Sequence, residues 1–238
     1  MNERSALVTG ANKGIGKHIA RLLAAEGITV YVGSRDPDRG QRAVEEIGAG
    51  ARLLVLDVTD PDGIAQAAAQ VNRLDVLVNN AGISPSLATP ADTGVEEYRR
   101  TYETNVFGVV TVTNAFLPAL RRSPRPRIVN ISSGTASLNW STTPNPQFPP
   151  GSGGAAAYRS SKAALNALTV LYAQTLTEDG FKVNALAPGI RATDLNPRAA
   201  AAGGDPAEAA QGALHLALLP DDGPTGGFFS WDGMPVPW

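Results

Sequence analysis

The stretch that decides the fold is Ser5-Ala6-Leu7-Val8-Thr9-Gly10-Ala11-Asn12-Lys13-Gly14-Ile15-Gly16. An apolar, β-branched run over residues 5–9 stops in a glycine loop. Ile15, Ile19, Leu22 and Leu23 then recur at helical spacing. Glycines permit a tight turn and let the backbone approach a ligand closely. A helix that begins beside such a loop offers free N–H groups and the positive end of its dipole to a phosphate. The spacing is G-x-x-x-G-x-G, which differs from the common G-x-G-x-x-G dinucleotide fingerprint. A purely structural turn is the alternative.

The same alternation runs through the chain. Strands are expected at 28–32, 52–56, from 76 to 78, at 127–131, 181–186 and 228–231. Helices are expected at 38–47, from Pro61 onward, and at 95–102, 106–121, 155–177 and 206–219. Strands that are almost wholly apolar, separated by amphipathic helices, imply an α/β chain. Its parallel sheet is doubly wound, with helices on both faces. Ligands of such folds bind beyond the carboxyl ends of the strands. Residues 139–154 are rich in Pro and Gly and are expected to be neither helix nor central strand. Residues 192–204 are also expected to be irregular. Each is read as a lid over a substrate cleft or as a loose surface loop.

Composition narrows the function. Twenty basic and 22 acidic residues leave a net charge of -2. That balance gives no electrostatic reason to expect nucleic acid or an anionic membrane as partner. Cysteine is absent, which removes disulfides, thiolate metal sites and cysteine nucleophiles. His18 and His215 are far apart and lack acidic or His neighbours at ligand spacing, so no metal site is expected. The first residues show no secretory pattern and no apolar run reaches membrane length, so a cytoplasmic location is expected.

After the second strand stands Ser34-Arg35. NAD-binding folds tend to place a carboxylate there for the ribose hydroxyls, whereas an arginine accommodates the 2′-phosphate of NADP. Lys13 offers a second positive charge. Asp36 has two readings, a ribose acid one position late or the cap of the helix that Pro37 opens.

These residues form an ordered set that resembles the short-chain dehydrogenase/reductase family, and within it the carbonyl-reductase-like branch. The glycine loop Thr9, Gly10, Asn12, Lys13, Gly14, Ile15 and Gly16 is followed by Asp57-Val58, similar to the family's adenine contact. Asn79-Asn80-Ala81-Gly82 matches the family's N-N-A-G motif. Asn105 lies in Thr104-Asn105-Val106-Phe107-Gly108, Tyr158 and Lys162 form Y-x-x-x-K, and Pro188-Gly189 matches the nicotinamide-side turn. The resemblance spans essentially the whole chain. It implies one Rossmann-type domain over residues 1–238, with a cofactor half at about 1–105 and a catalytic half at about 106–238. It implies NADP(H) held by the glycine loop, Ser34, Arg35, Asp57, Val58, Asn80, Ala81, Gly82, Tyr158, Lys162, Pro188, Gly189, Ile190 and Thr193.

Tyr158 and Lys162 are four residues apart on one helix face. A neighbouring ammonium is expected to lower the phenol pKa from its ordinary value near 10. Tyr158 could then exchange a proton with a carbonyl or alcohol oxygen. Alone, such a pair reads better as an ordinary surface feature. The resemblance assigns Ser133, the second of the Ser132-Ser133 pair, to the substrate oxygen. It assigns Asn105 to a water beside Lys162, and Lys162 also to the nicotinamide ribose. Ser132 is expected to satisfy backbone groups. The implied reaction is NADPH-dependent reduction of a small ketone, aldehyde or quinone to an alcohol. An epimerase or dehydratase on the same frame, or a non-catalytic NADP-binding sensor, are the alternatives.

Ser133 and Tyr158 are 25 positions apart, more than in many relatives. The carbonyl-reductase-like branch carries an insertion at this point, over the face that other members use to assemble. A monomer is therefore expected, with a homo-oligomer as the alternative. Substrate contacts are sought in residues 83–93, 136–154 and 190–204. Leu138, Trp140, Phe148 and Leu195 are offered there either as pocket walls or as loop anchors.

Overall fold

The structure is a computed structural model that describes residues 4–145, 153–195, 197–201 and 203–238. Seven parallel strands form one sheet: β1 Ser5–Val8, β2 Thr29–Ser34, β3 Ala51–Val55, β4 Val76–Asn79, β5 Arg127–Ile131, β6 Lys182–Ala187 and β7 Phe228–Ser230. Their spatial order is β3-β2-β1-β4-β5-β6-β7. The sheet starts at β1 and grows outward in both directions. Its order reverses between β1 and β4, so the carboxyl ends of these strands open the crevice where such folds bind ligands.

Two apolar layers cover the sheet. On one face α1 (Gly14–Ala25), α2 (Pro37–Ile47) and α9 (Pro206–Ala217) bury Ile19, Leu23, Ala213 and Leu216 against Ala6, Val8, Val30 and Val78. On the other, α3 (Pro61–Ala69), α5 (Gly108–Leu120) and α7 (Ala156–Thr175) enclose Ile64, Val112, Phe116 and Ala173 around Leu7, Leu77 and Ile128. Strands buried on both faces must be apolar at every position, which is why they read as continuous runs. Among the described residues no helix is long and apolar enough to cross a membrane.

Three stretches depart from the expectation. Residues 106–121 do not form one simple helix. α4 (Val95–Tyr102) runs into a π-helical turn at Glu103–Phe107, and α5 begins only at Gly108. The extra residue of a π turn leaves the apolar pattern almost intact while redirecting the backbone. Residues 139–142 are helical, within α6 (Leu138–Thr142), because Ser137 accepts a hydrogen bond from Trp140 N at 3.0 Å and caps the turn before the prolines begin. A short helix, α8 (Pro197–Ala201), also interrupts the segment expected to be irregular.

Just before α7, Ala155 has φ of 58°, in the left-handed region. It is the only non-glycine residue with positive φ among the described residues. Its methyl group clashes with its own backbone there. Ala155→Gly is expected to stabilise the protein by about 1 kcal/mol, since glycine adopts this conformation without the clash. Urea unfolding of the two proteins side by side tests this, and a destabilised glycine variant would refute it.

Candidate active site

The glycine loop leaves β1 with its backbone pinned to the loop after β4. Thr9 Oγ1 accepts from Asn80 N at 2.9 Å and from Ala81 N at 3.0 Å. Asn80 Nδ2 returns to Thr9 O at 2.8 Å and Gly10 O at 3.3 Å. A Cβ at Gly16 would collide with Asn80 Nδ2 and with the Gly10 carbonyl, 2.7 Å away. Thr9, Asn80 and Gly16 therefore shape the cradle and brace one another. Gly14 has φ of 54°, and a Cβ there would stand 3.5 Å from Thr193 Cγ2. The glycine loop and the segment after β6 thus border one space at the mouth of α1. Lys13 at the α1 N-cap makes no side-chain cap there, and the Asn12 side chain bonds no described residue.

The positive charges are distributed otherwise than expected. Lys13 Nζ pairs with Asp194 Oδ2 at 3.1 Å, both exposed, so it leans toward the segment after β6. Arg35 is exposed and makes neither ion pair nor hydrogen bond with any described residue. Asp36 caps α2 by accepting from Arg39 N at 3.0 Å. That backbone hydrogen bond, aided by the Arg39 charge, holds its carboxyl below the ordinary carboxylate range. Asp36 is therefore the helix cap. Ser34 is buried, and its hydroxyl donates to Asp36 O at 2.7 Å.

Beyond β3, Asp57 Oδ1 accepts from Thr59 N at 2.9 Å and Thr59 Oγ1 at 2.8 Å. Val58 packs closely on Gly108, where a Cβ would lie 2.6 Å from the Val58 carbonyl oxygen. After β6, Pro188-Gly189 turns with Gly189 at φ of 70°, and Ile190 is left partly exposed. Arg191, which the motif reading passed over, holds this turn. It is buried, its Nε donates to Pro188 O at 2.8 Å, and it pairs with Glu208 at 2.9 Å. Its guanidinium lies 4.4 Å from the Trp231 ring centre. The one available signal was a charged residue inside a turn between apolar segments.

The reacting end gathers four side chains beside the end of β5. Ser133 caps the 3-10 turn Gly134–Ala136, and its hydroxyl lies near enough to the Tyr158 phenol to favour the phenolate. Lys162, one turn further along α7, is buried. Its Nζ donates to Ile131 O at 2.8 Å and lies 5.9 Å from the Tyr158 ring centre. Asn105, in the π turn, is fully buried. Its Nδ2 donates to Ile83 O at 2.9 Å and Ser161 Oγ at 3.0 Å, and its Oδ1 accepts from Ile83 N at 2.9 Å. A Cβ at Gly82 would meet Asn105 Oδ1 at 3.3 Å and Lys162 Nζ at 3.4 Å, so glycine leaves these two side chains room that a larger residue would take by displacing them slightly. Ser132 is buried and donates to Asn166 Oδ1 at 2.6 Å, with a longer contact of 3.4 Å to Lys162 O.

One electrostatic expectation is reversed. Burial pushes the Tyr158 phenol above its ordinary pKa, and the nearby Ser133 hydroxyl offsets this only in part. Burial also lowers Lys162 from 10.5 to about 8. A phenol shielded from water loses more by ionising than a cation near its ring returns.

Trp140 is buried with Ala185, Ala187, Phe228 and Val236. That burial supports its reading as an anchor of its loop. Leu138 is exposed and Leu195 half-buried, while Phe148 lies outside the described residues.

Such a clustered Ser, Tyr, Lys and Asn beside a glycine cradle fits the match of residues 4–202 to the short chain dehydrogenase family model. The chain belongs to that family. It is 34% identical to (-)-isopiperitenone reductase of Mentha piperita, over 97% of each chain. It also resembles an NADPH-bound carbonyl reductase from chicken fatty liver, with a TM-score of 0.82 and 31% identity over 100% of both chains. The carbonyl reductase Sniffer of D. melanogaster superposes with a TM-score of 0.87 at 25% identity, again over 100% of both. As in the sequence comparison, the likeness is to carbonyl-reductase-like members of this short-chain dehydrogenase/reductase family.

The buried ammonium has a consequence for stability. The folded chain binds fewer protons at Lys162 than the unfolded chain between about pH 8 and 10.5, so this group's contribution to stability rises across that window. The shift corresponds to up to about 3 kcal/mol. Without cofactor, the stability of wild type relative to Lys162→Met should therefore improve by up to this amount between pH 7.5 and pH 10.5. Urea unfolding at several pH values measures it. A difference independent of pH would exclude a neutralised buried lysine.

Proposed function

We propose that this short-chain dehydrogenase is an NADPH-dependent reductase of small ketones, aldehydes or quinones. The observation that carries the reading is the gathering of Ser133, Tyr158 and buried Lys162, its Nζ 5.9 Å from the Tyr158 ring centre, at the strand ends that also carry the glycine cradle. The cradle fits a dinucleotide. Gly14 and Thr193 leave a narrow space at the start of α1, and Gly82 keeps the path to Lys162 clear of side chains. Arg35, free of protein partners among the described residues, suits a 2′-phosphate. The NADPH bound by the chicken carbonyl reductase supports the same cofactor for this chain.

When bound, NADPH would supply a hydride to the carbonyl carbon. The protein's part concerns the oxygen. Ser133 donates a hydrogen bond to it and fixes it beside the Tyr158 hydroxyl. Tyr158 then gives up its proton to the oxygen as the carbonyl becomes an alcohol. A phenol held above its ordinary pKa enters that step protonated at neutral pH, which suits reduction. Lys162, kept near the ring by the Ile131 carbonyl, stabilises the phenolate that results and would hold the nicotinamide ribose. Asn105 fixes the loop around Gly82 and Ile83, which would help to hold the cofactor. The reading treats residues 1–238 as one catalytic domain, acting as a cytoplasmic monomer. The long segment between Ser133 and Tyr158 supports the monomer.

NADPH oxidation with a panel of ketones, aldehydes and quinones tests the proposal. Tyr158→Phe should lower kcat by about 100-fold or more. Arg35→Ala should raise KM for NADPH roughly 10- to 100-fold and leave NADH kinetics nearly unchanged, as loss of a charge-assisted hydrogen bond requires. Full activity in Tyr158→Phe would overturn the mechanism, and equal losses with both cofactors would overturn the role of Arg35.

A further inference from the structure

Ser133 has a neighbour that the reaction scheme leaves without a part. Thr135, in the 3-10 turn Gly134–Ala136, places its Oγ1 2.8 Å from Ser133 Oγ. The Thr135 backbone N–H donates to the same Ser133 oxygen at 3.3 Å. A hydroxyl has one proton and two lone pairs. The backbone N–H can only donate, so it takes one lone pair. If the Thr135 hydroxyl donates as well, both lone pairs of Ser133 are occupied and its single proton is left for another acceptor. Thr135 Oγ1 has no other hydrogen-bond partner among the described residues, and donation to Ser133 is the direction that leaves the Ser133 proton free for the reacting oxygen.

The turn holds this arrangement firmly. Ala136 N donates to Ser133 O at 2.9 Å, which closes the turn. Arg159, the residue after Tyr158, reaches Thr135 O with Nε at 3.4 Å and Ser141 Oγ with Nη2 at 2.9 Å. The turn and α6 are thereby tied to the helix that carries Tyr158. The β-branched side chain of Thr135 also has restricted χ1 freedom, which keeps Oγ1 aimed at Ser133.

We propose that Thr135 is a positioning residue that makes Ser133 a one-way hydrogen-bond donor toward the reacting oxygen. The inference rests on the reductase reading for its catalytic meaning. The hydrogen-bond chain runs from Thr135 to Ser133 and on to the phenol oxygen of Tyr158 or the substrate oxygen. Each donation polarises the next, so the Ser133 proton becomes a better donor just where negative charge develops.

The test compares Thr135→Val, which keeps the shape and removes the hydroxyl, with Thr135→Ser, which keeps the hydroxyl. Both are made in wild type and in Ser133→Ala. In wild type, Thr135→Val should lower kcat roughly 3- to 10-fold, the worth of one net hydrogen bond, and leave NADPH affinity by fluorescence unchanged. Thr135→Ser should restore kcat. In Ser133→Ala, Thr135→Val should have no further effect.

A second readout needs neither cofactor nor substrate. Tyrosinate absorbance, taken as the difference from Tyr158→Phe, should show Tyr158 ionising at higher pH in Thr135→Val than in wild type. An equal loss of kcat with and without Ser133, or an unmoved Tyr158 titration, would overturn the role of Thr135. If wild type reduced no carbonyl compound, the reductase reading would fall, and the Tyr158 titration would still decide whether Thr135 polarises Ser133.

Discussion

A single hydroxyl, Thr9 Oγ1, ties together the loops that leave two paired strands, β1 and β4. It accepts the backbone N–H groups of both Asn80 and Ala81, and Asn80 returns the bond to the Thr9 and Gly10 carbonyls. Where the sheet order reverses, adjacent strands send their loops apart and open a crevice. Left to themselves, the backbone groups at such a point would need water. The clasp satisfies them from within, and so the glycine loop and the Asn80-Ala81-Gly82 loop have fixed edges. The lack of a side chain at Gly16 lets these parts close up.

From that fixed edge the polar groups extend inward in short links. Gly82 passes between Asn105 and Lys162, Asn105 bonds Ser161, and Lys162 reaches the carbonyl at the end of β5. Asn105 is thus held by backbone and by another buried side chain, and Lys162 by backbone. Burial is also what sets the proton affinities of Tyr158 and Lys162. Both the phenol and the ammonium are driven toward their neutral forms by the apolar surroundings, so a proton donor is available at neutral pH.

Much of this was legible in the residues. Strand β5 at Arg127–Ile131 matches its expected range because every residue there is buried and turn residues bound it. Strand β2 was expected to stop before Gly33-Ser34. Pairing with β3 continues instead through Ser34 opposite Val55, since a glycine in a strand is no stop where another backbone approaches closely. The prolines from 144 onward masked the helical turn at 138–142, although proline restricts mainly the residue before it. The π turn left no periodic trace. Asn105, Ser133, Tyr158 and Lys162 could be marked as candidates from the family resemblance, and the structure places them in one region. Thr135, Arg191 and the sign of the Tyr158 shift could not be read, because each depends on which atoms meet and how much water they lose. Lys13 could be marked as a cation near the cradle, but its turn toward Asp194 required the far end of the chain.

That last contact bears on when the protein can acquire its nucleotide. Lys13 and Asp194 are 181 positions apart, and Thr193 faces Gly14 across the same gap. A chain emerging from the ribosome presents the glycine cradle early and its opposite wall only after β6 has been made. Throughout most of synthesis the cleft is therefore one-sided and open to water. A dinucleotide held as proposed would brace only the finished chain, joining its first loop to one of its last.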